Sequence, residues 1–162
     1  MKFICDTREQ KPWDCPKGHE MARVMLPHGD YSMEDFEHRC VVERKSLDDL
    51  IGSAFGSWTR WSARLAELSQ VERACVVVEC TEEDIRKRKY VPNVRSTRRL
   101  GAAAAFTNRV LDKLEPGKIL LATASIYATY GVPVFLAGSP TRAASFAFSI
   151  LHQFATHQRI AK

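Results

Sequence analysis

The stretch Val41-Val42-Glu43-Arg44-Lys45 constrains the fold more than any other part of the chain. An apolar run that ends in an acid, an arginine and a lysine reads as a buried strand reaching its polar end. Side chains two apart in a strand share a face, so Glu43 and Lys45 emerge together. A sheet with at least one buried central strand must therefore form, and Gly29-Asp30 lies just upstream of it.

The other elements follow from periodicity and punctuation. Lys2 to Cys5 reads as a short buried strand, followed by the loop Asp6-Thr7-Arg8-Glu9. Pro12, Pro16 and Gly18 mark a further loop, Ala22 to Leu26 a second strand, and Pro27-His28-Gly29-Asp30 a turn. Tyr31 to Met33 starts the next strand, Glu34-Asp35 sits near a hairpin connection, and Cys40 to Arg44 is the central strand. Ser46 with Asp49 reads as a helix cap before Leu47, Leu50 and Ile51. Trp58, Trp61, Leu65 and Leu68 share one helical face. Ala74 to Glu79 is an apolar strand ending in an acid, and Thr81 with Asp84 is another capping pair. Leu100 to Leu114 and Ile119 to Tyr130 read as helices, Val132 to Leu136 as a strand, and Ser139-Pro140 as the start of a last helix running to about His157. Strands first, then strands alternating with helices, imply an α/β fold: a mixed sheet flanked by helices.

At 162 residues and 45% hydrophobic content, the chain suits a single globular domain. No apolar run approaches the ~20 residues of a membrane span, and the N-terminus lacks the apolar core of a signal peptide. Five cysteines without a CxxC pair fit reduced thiols inside a cell, in cytoplasm or nucleoid. Cys15 and His19 have no second close pair to complete a zinc site.

The net charge of +5 is local. Arg86, Lys87, Arg88, Lys89, Arg95, Arg98 and Arg99 lie in one segment without an acid, while acids slightly outnumber bases elsewhere. Such a patch on an exposed loop points to a polyanion such as DNA, with a solvated loop as the alternative.

Asp6, Glu9, Asp30 and Glu43 all sit where strands end or turn. Singly, such acids are usually solvated. Joined with Lys45, they suit metal-assisted phosphodiester cleavage: carboxylates hold a hard divalent cation, and the lysine steadies the attacking water or the developing phosphate charge.

In order, the motifs Asp6-Thr7-Arg8-Glu9, Gly29-Asp30, Glu43-Arg44-Lys45 and Asp49 resemble the nuclease domain of the XPF family of structure-specific endonucleases. Val76-Val77-Val78-Glu79 and Tyr130-Gly131-Val132-Pro133-Val134-Phe135 resemble two further strands of that family. The family is a branch of the restriction-endonuclease-like fold with a D…(D/E)xK core. The resemblance implies that Asp30 and Glu43 are the main ligands of Mg2+ or Mn2+, helped by the Arg44 carbonyl, with Asp6 a ligand or a supporting acid. It implies that Lys45 positions water, and that Arg8, Glu9, Arg44 and Asp49 orient phosphate and neighbouring groups. For Arg44 and Asp49, a salt bridge and a helix cap are the alternative readings.

Relative to a minimal family domain, residues 86–118 look like a basic insertion, and neither a helix-hairpin-helix domain nor a helicase domain is expected. The apolar stripe Ala143, Ala147, Ile150, Leu151 and Phe154, with Phe146 and Phe148 beside it, predicts burial of the last helix on more than one side. The family likeness implies a homodimer through the C-terminal helices. The expected activity is that of a metal-dependent endodeoxyribonuclease on branched, flap, fork or single-strand-containing DNA in repair or recombination. A catalytically inactive DNA-binding or scaffold subunit is the competing class, and an RNA substrate stays open.

Overall fold

A computed structural model describes residues 1–87 and 114–160. Six strands form one mixed sheet: β1 (Lys2–Asp6), β2 (Glu20–Val24), β3 (Tyr31–Met33), β4 (Cys40–Lys45), β5 (Arg73–Val78) and β6 (Val134–Leu136), in the order β2-β1-β3-β4-β5-β6. β1 runs parallel to β2 and antiparallel to β3, β3 is antiparallel to β4, and β4, β5 and β6 are parallel.

Helices cover both faces, and strand alternation decides which side chain meets which helix. Val41, Val76 and Val78 pack with Leu47, Leu50 and Ile51 of α1 (Leu47–Ile51), with Trp61, Leu65 and Leu68 of α2 (Trp58–Leu68), and with Ile119 and Ile126 of α4 (Pro116–Tyr130). Val42, Cys75 and Val77 point the other way, to Ala143, Ala147, Phe148, Leu151 and Ala155 of α5 (Pro140–Ile160). Strands buried on both faces explain the unbroken valine runs. A π-helical turn, Gly52–Gly56, joins α1 to α2.

Several boundaries differ from expectation. β2 begins at Glu20, pairing with Lys2, and stops at Val24, because the Leu26 amide donates to the Asp6 carboxylate at 2.7 Å instead of to a strand. β6 starts after Pro133, which has no N–H but accepts from the Val76 amide. α4 begins at Pro116, ahead of the expected Ile119, and Gly131 closes the helix at φ 67°. Trp58 stays 43% exposed, so α2 buries only Trp61, Leu65 and Leu68.

On α5 the buried line is Ala143, Ala147, Phe148, Leu151 and Ala155, with Ile150 and Phe154 half-buried. Phe148, expected beside the stripe, is a core residue: its ring meets Phe3 at 4.7 Å and Tyr31 at 5.7 Å. The alanines let the helix approach the sheet, which rotates the apolar face toward them.

Arg86 and Lys87 lie on the short helix α3 (Glu82–Lys87), not on a loop. Thr81 and Asp84 form the expected reciprocal cap, and Arg86 and Lys87 pair with Glu82 and Glu83 one turn back. Arg88, Lys89, Arg95, Arg98 and Arg99, and the helix expected over 100–114 apart from Leu114, lie outside the described residues.

Candidate active site

The site forms where β1, the turn before β3, and β4 meet. Gly29 has φ +72°, and a Cβ there would lie 2.9 Å from the Val41 Cβ and 3.1 Å from the Val42 carbonyl oxygen. Only glycine fits this approach. It brings the Asp30 amide to the Val42 carbonyl at 2.8 Å, while the Asp30 carbonyl accepts from the Asp6 amide at 2.8 Å. Asp30 is thus clamped between β1 and β4, and its Oδ2 accepts from the Arg44 amide at 2.7 Å.

Glu43 and Lys45 leave the α2 face of β4 together, as strand alternation requires, with Lys45 Nζ 3.9 Å from Glu43 Oε1. Lys45 Nζ also rests 4.0 Å from the centre of the Trp61 ring. Glu43 is only 8% exposed, and its Oε2 faces Arg64 Nε at 3.3 Å. Burial, and then the charge of Glu43, push the Asp30 carboxyl up to about 7. A desolvated carboxyl that feels a second carboxylate is one whose charge a divalent cation would stabilise. Oxygen donors of this kind fit a hard ion such as Mg2+ or Mn2+. Among the described residues no group of three His, Cys, Asp or Glu side chains gathers as a ready-made metal cage.

Asp6 is differently placed. One oxygen accepts from the Arg8 amide and Nε at 2.7 Å each; the other accepts from Arg8 Nη2 at 2.8 Å and the Leu26 amide at 2.7 Å. The Arg8 guanidinium is the main reason its carboxyl is lowered to about 2. These bonds make Asp6 a brace for the β1 end and the chain before Gly29. Glu9 Oε1 accepts from the Lys11 amide and lies 3.5 Å from Arg44 Nη1. Asp49 accepts from the Ser46 hydroxyl at 2.7 Å and donates its own amide back, so it caps α1 at the rim. A cleft of about 520 Å3 brings Arg8, Glu9, Asp30, Arg44 and Asp49 together. A second, of about 400 Å3, holds Glu43 and Lys45.

Arg44 spans the sheet. Its amide serves Asp30, but its guanidinium leaves the opposite face, bonding Glu79 Oε1 at 2.8 Å, donating to the Lys11 carbonyl, and lying 5.0 Å from the Trp13 ring centre. Trp13 Nε1 reaches the same Glu79 oxygen at 2.7 Å, and its ring stacks on Tyr31. A larger cavity, about 570 Å3, lies between the Trp13 loop and α5 and shares only Arg44 with the two clefts that hold the acids.

Sequence reasoning did not find Arg64 or Trp13, and saw Glu79 only as a strand end. Arg64 carries no local signal: an arginine on the polar side of an amphipathic helix reads as solvated.

The ERCC4 domain model matches residues 6–150. The chain therefore belongs to the ERCC4 domain family, whose members are nucleases. Among solved structures it is similar to XPF from Aeropyrum pernix, with TM-score 0.61 and 20% identity, covering 94% of this chain and 61% of that one. It is also similar to XPF from Aeropyrum pernix in complex with DNA, with TM-score 0.60 and 22% identity, covering 96% of this chain and 65% of that one. This chain thus spans less than two thirds of either, and the likeness is one of fold: the six-stranded mixed sheet flanked by helices is of the restriction-endonuclease-like type. No curated protein matches the chain. Among the described residues no helix is long and apolar enough to cross a membrane.

Proposed function

We propose that this chain is a divalent-metal-dependent DNA endonuclease that hydrolyses phosphodiester bonds in branched, flap, fork or single-strand-containing DNA during repair or recombination. One observation carries the reading: Glu43 and Lys45 leave the end of β4 together, 3.9 Å apart, and the charge of Glu43 adds to burial in raising the Asp30 carboxyl to about 7. An ERCC4 fold and a structural relative solved in complex with DNA support it.

Asp30 and Glu43 would hold Mg2+ or Mn2+, together with the Arg44 carbonyl, which lies on the same strand edge as the amide bonded to Asp30. The ion supplies Lewis-acid stabilisation of phosphate charge and a more acidic bound water. Lys45, set above Trp61 and beside Glu43, orients the attacking water and offsets charge on the phosphate. Arg8 and Asp6 keep Asp30 in place through the β1 end, while Glu9, Glu79 and Trp13 fix the Arg44 side chain so that its backbone stays in register.

The basic segment, with Arg88, Lys89, Arg95, Arg98 and Arg99 and the edge of α3, is proposed to contact DNA phosphates. A homodimer through the C-terminal helices is proposed as well; Phe146, 40% exposed and touching the Phe135 ring at 5.1 Å, supports it.

The test is purified protein with Mg2+ or Mn2+ on labelled duplex, single-strand, flap, fork and four-way DNA, with matched RNA. Metal-dependent incision of DNA is expected. DNA binding without incision under any metal would establish the inactive scaffold instead.

A further inference from the structure

We infer that the cavity beside Glu43 and Lys45 is a subsite for one backbone phosphate of the substrate strand, held by Arg60 and Arg64. The inference rests on the nuclease reading and adds to it the residues that grip the strand next to the reacting bond.

The cavity of about 400 Å3 is walled by Glu43, Lys45, Arg60 and Arg64, with Ser53 and Ser57 from the π-helical turn and the next residue. Three cations face one carboxylate there, and two hydroxyls lie beside them. Arg60 and Arg64 are one helical turn apart on α2, so they present to the same side. Arg60 is exposed and makes no ion pair among the described residues. Arg64 is held at both ends, by Glu43 at 3.3 Å and Glu67 at 3.2 Å. Trp61 in the same wall is buried, with an indole N–H that finds no acceptor among the described residues. A wall of donors with a cationic excess takes an oxyanion that offers several acceptors at once, and a phosphodiester does.

Position fixes which phosphate. The cavity shares Glu43 and Lys45 with the proposed reacting site, so an anion inside it would be a phosphate beside the reacting one. Arg64 then has two partners in turn. Without a cation it neutralises Glu43. Were Glu43 to hold a cation, Arg64 would stay tethered through Glu67 with its remaining N–H groups available to the cavity.

The experiment measures binding of fluorescein-labelled single-stranded and duplex oligonucleotides at 50 to 200 mM salt, with Ca2+ replacing Mg2+, for wild type, Arg60→Ala, Arg64→Ala and the double variant. Mn2+ binding without DNA is titrated in parallel. The double variant should lose about tenfold in affinity, and its log–log salt slope should fall by roughly 0.7–0.9, the value of one phosphate contact. Mn2+ binding should persist in both single variants. Arg60→Ala alone, which disturbs no ion pair, should show part of the affinity and slope loss, and Arg60→Lys should restore it. If wild type binds DNA but Arg60→Ala and the double variant keep its affinity and slope, the subsite is refuted and the nuclease reading stands. If wild type binds neither DNA, both fall together.

Discussion

The Arg44 amide donates to Asp30 Oδ2 at 2.7 Å, while the Arg44 guanidinium lies across the sheet on Glu79 at 2.8 Å. One residue thus holds a candidate metal ligand with its backbone and locks the opposite face with its side chain. Loss of the side chain frees the strand end without removing any atom from the metal pair, so Arg44→Ala is expected to disturb Asp30 indirectly.

If Asp30 holds the ion as proposed, proton and cation should compete there. Its carboxyl is raised to about 7, first by burial and then by Glu43. The folded, cation-free protein therefore binds a proton that the unfolded chain releases near pH 4. Cation-free stability should decline as pH rises from about 4 through 7, and Asp30→Asn should flatten that decline in melts run with EDTA. Mn2+ affinity by calorimetry should drop about tenfold per pH unit below 7, with one proton released per ion. An affinity independent of pH would remove Asp30 from the ligand set.

Lys45 should be separable from the metal pair. Lys45→Ala should cut single-turnover cleavage by about 10²–10³ while Mn2+ still binds, the size of effect seen when one charge-stabilising donor is lost. Lys45→Arg should not recover the rate, because a planar guanidinium above Trp61 cannot occupy the place of a compact ammonium. Near-normal rates in either variant would leave Lys45 as the partner of Glu43 alone.

The site was legible in the sequence where local chemistry specifies it. Strand period alone put Glu43 beside Lys45, and Pro27-His28-Gly29-Asp30 read as a turn upstream, though not as the close approach that Gly29 makes to Val41. The rest depends on which elements meet. Arg64 reaches Glu43 from 21 residues away, and Trp13 reaches Glu79 from 66 away. Neither pairing leaves a local pattern. The face of α5 was legible in part: Ala143, Ala147 and Leu151 of the expected stripe are buried, but Phe148 and Ala155 complete the buried line while Ile150 and Phe154 are half-buried. For Asp6 the resemblance implied a ligand or a supporting acid, and the bonds of Arg8 and Leu26 to both its oxygens favour the supporting role.

Asp6 should govern acid stability. Its carboxyl is depressed from 3.8 to about 2, so its contribution is present above pH 4 and lost as pH falls through 2. The shift corresponds to about 2–3 kcal/mol. Denaturant melts should find wild type losing about 2 kcal/mol between pH 5 and 2, and Asp6→Asn losing little over the same window. Parallel declines would assign the acid sensitivity elsewhere.

Gly29→Ala should cost about 1–3 kcal/mol, since the added methyl meets Val41 and the Val42 carbonyl in a left-handed backbone. Because the strain falls at the residue before Asp30, cleavage should drop even at temperatures where circular dichroism reports a full fold. An active variant of unchanged melting temperature would contradict the steric account of the Gly-Asp pair.

Sedimentation of wild type should give a dimer at micromolar concentration, and Phe146→Glu a monomer with unaltered secondary structure. A wild-type monomer throughout that range would rule out assembly through α5.

The chain has three tryptophans, and the fold places two of them on opposite sides of β4 beneath different cations. Trp61 lies under Lys45 at 4.0 Å and Trp13 under Arg44 at 5.0 Å, while Trp58 stands 43% exposed on the outer side of α2. With Trp58 replaced by phenylalanine, the intrinsic emission comes from two indoles that sense separate events. Trp61 would sense displacement of the lysine if the proposed site is occupied, and Trp13 would sense loosening of the Arg44 latch on the other face. The protein carries its own optical readout for telling chemistry at one face from distortion at the other, without an attached label.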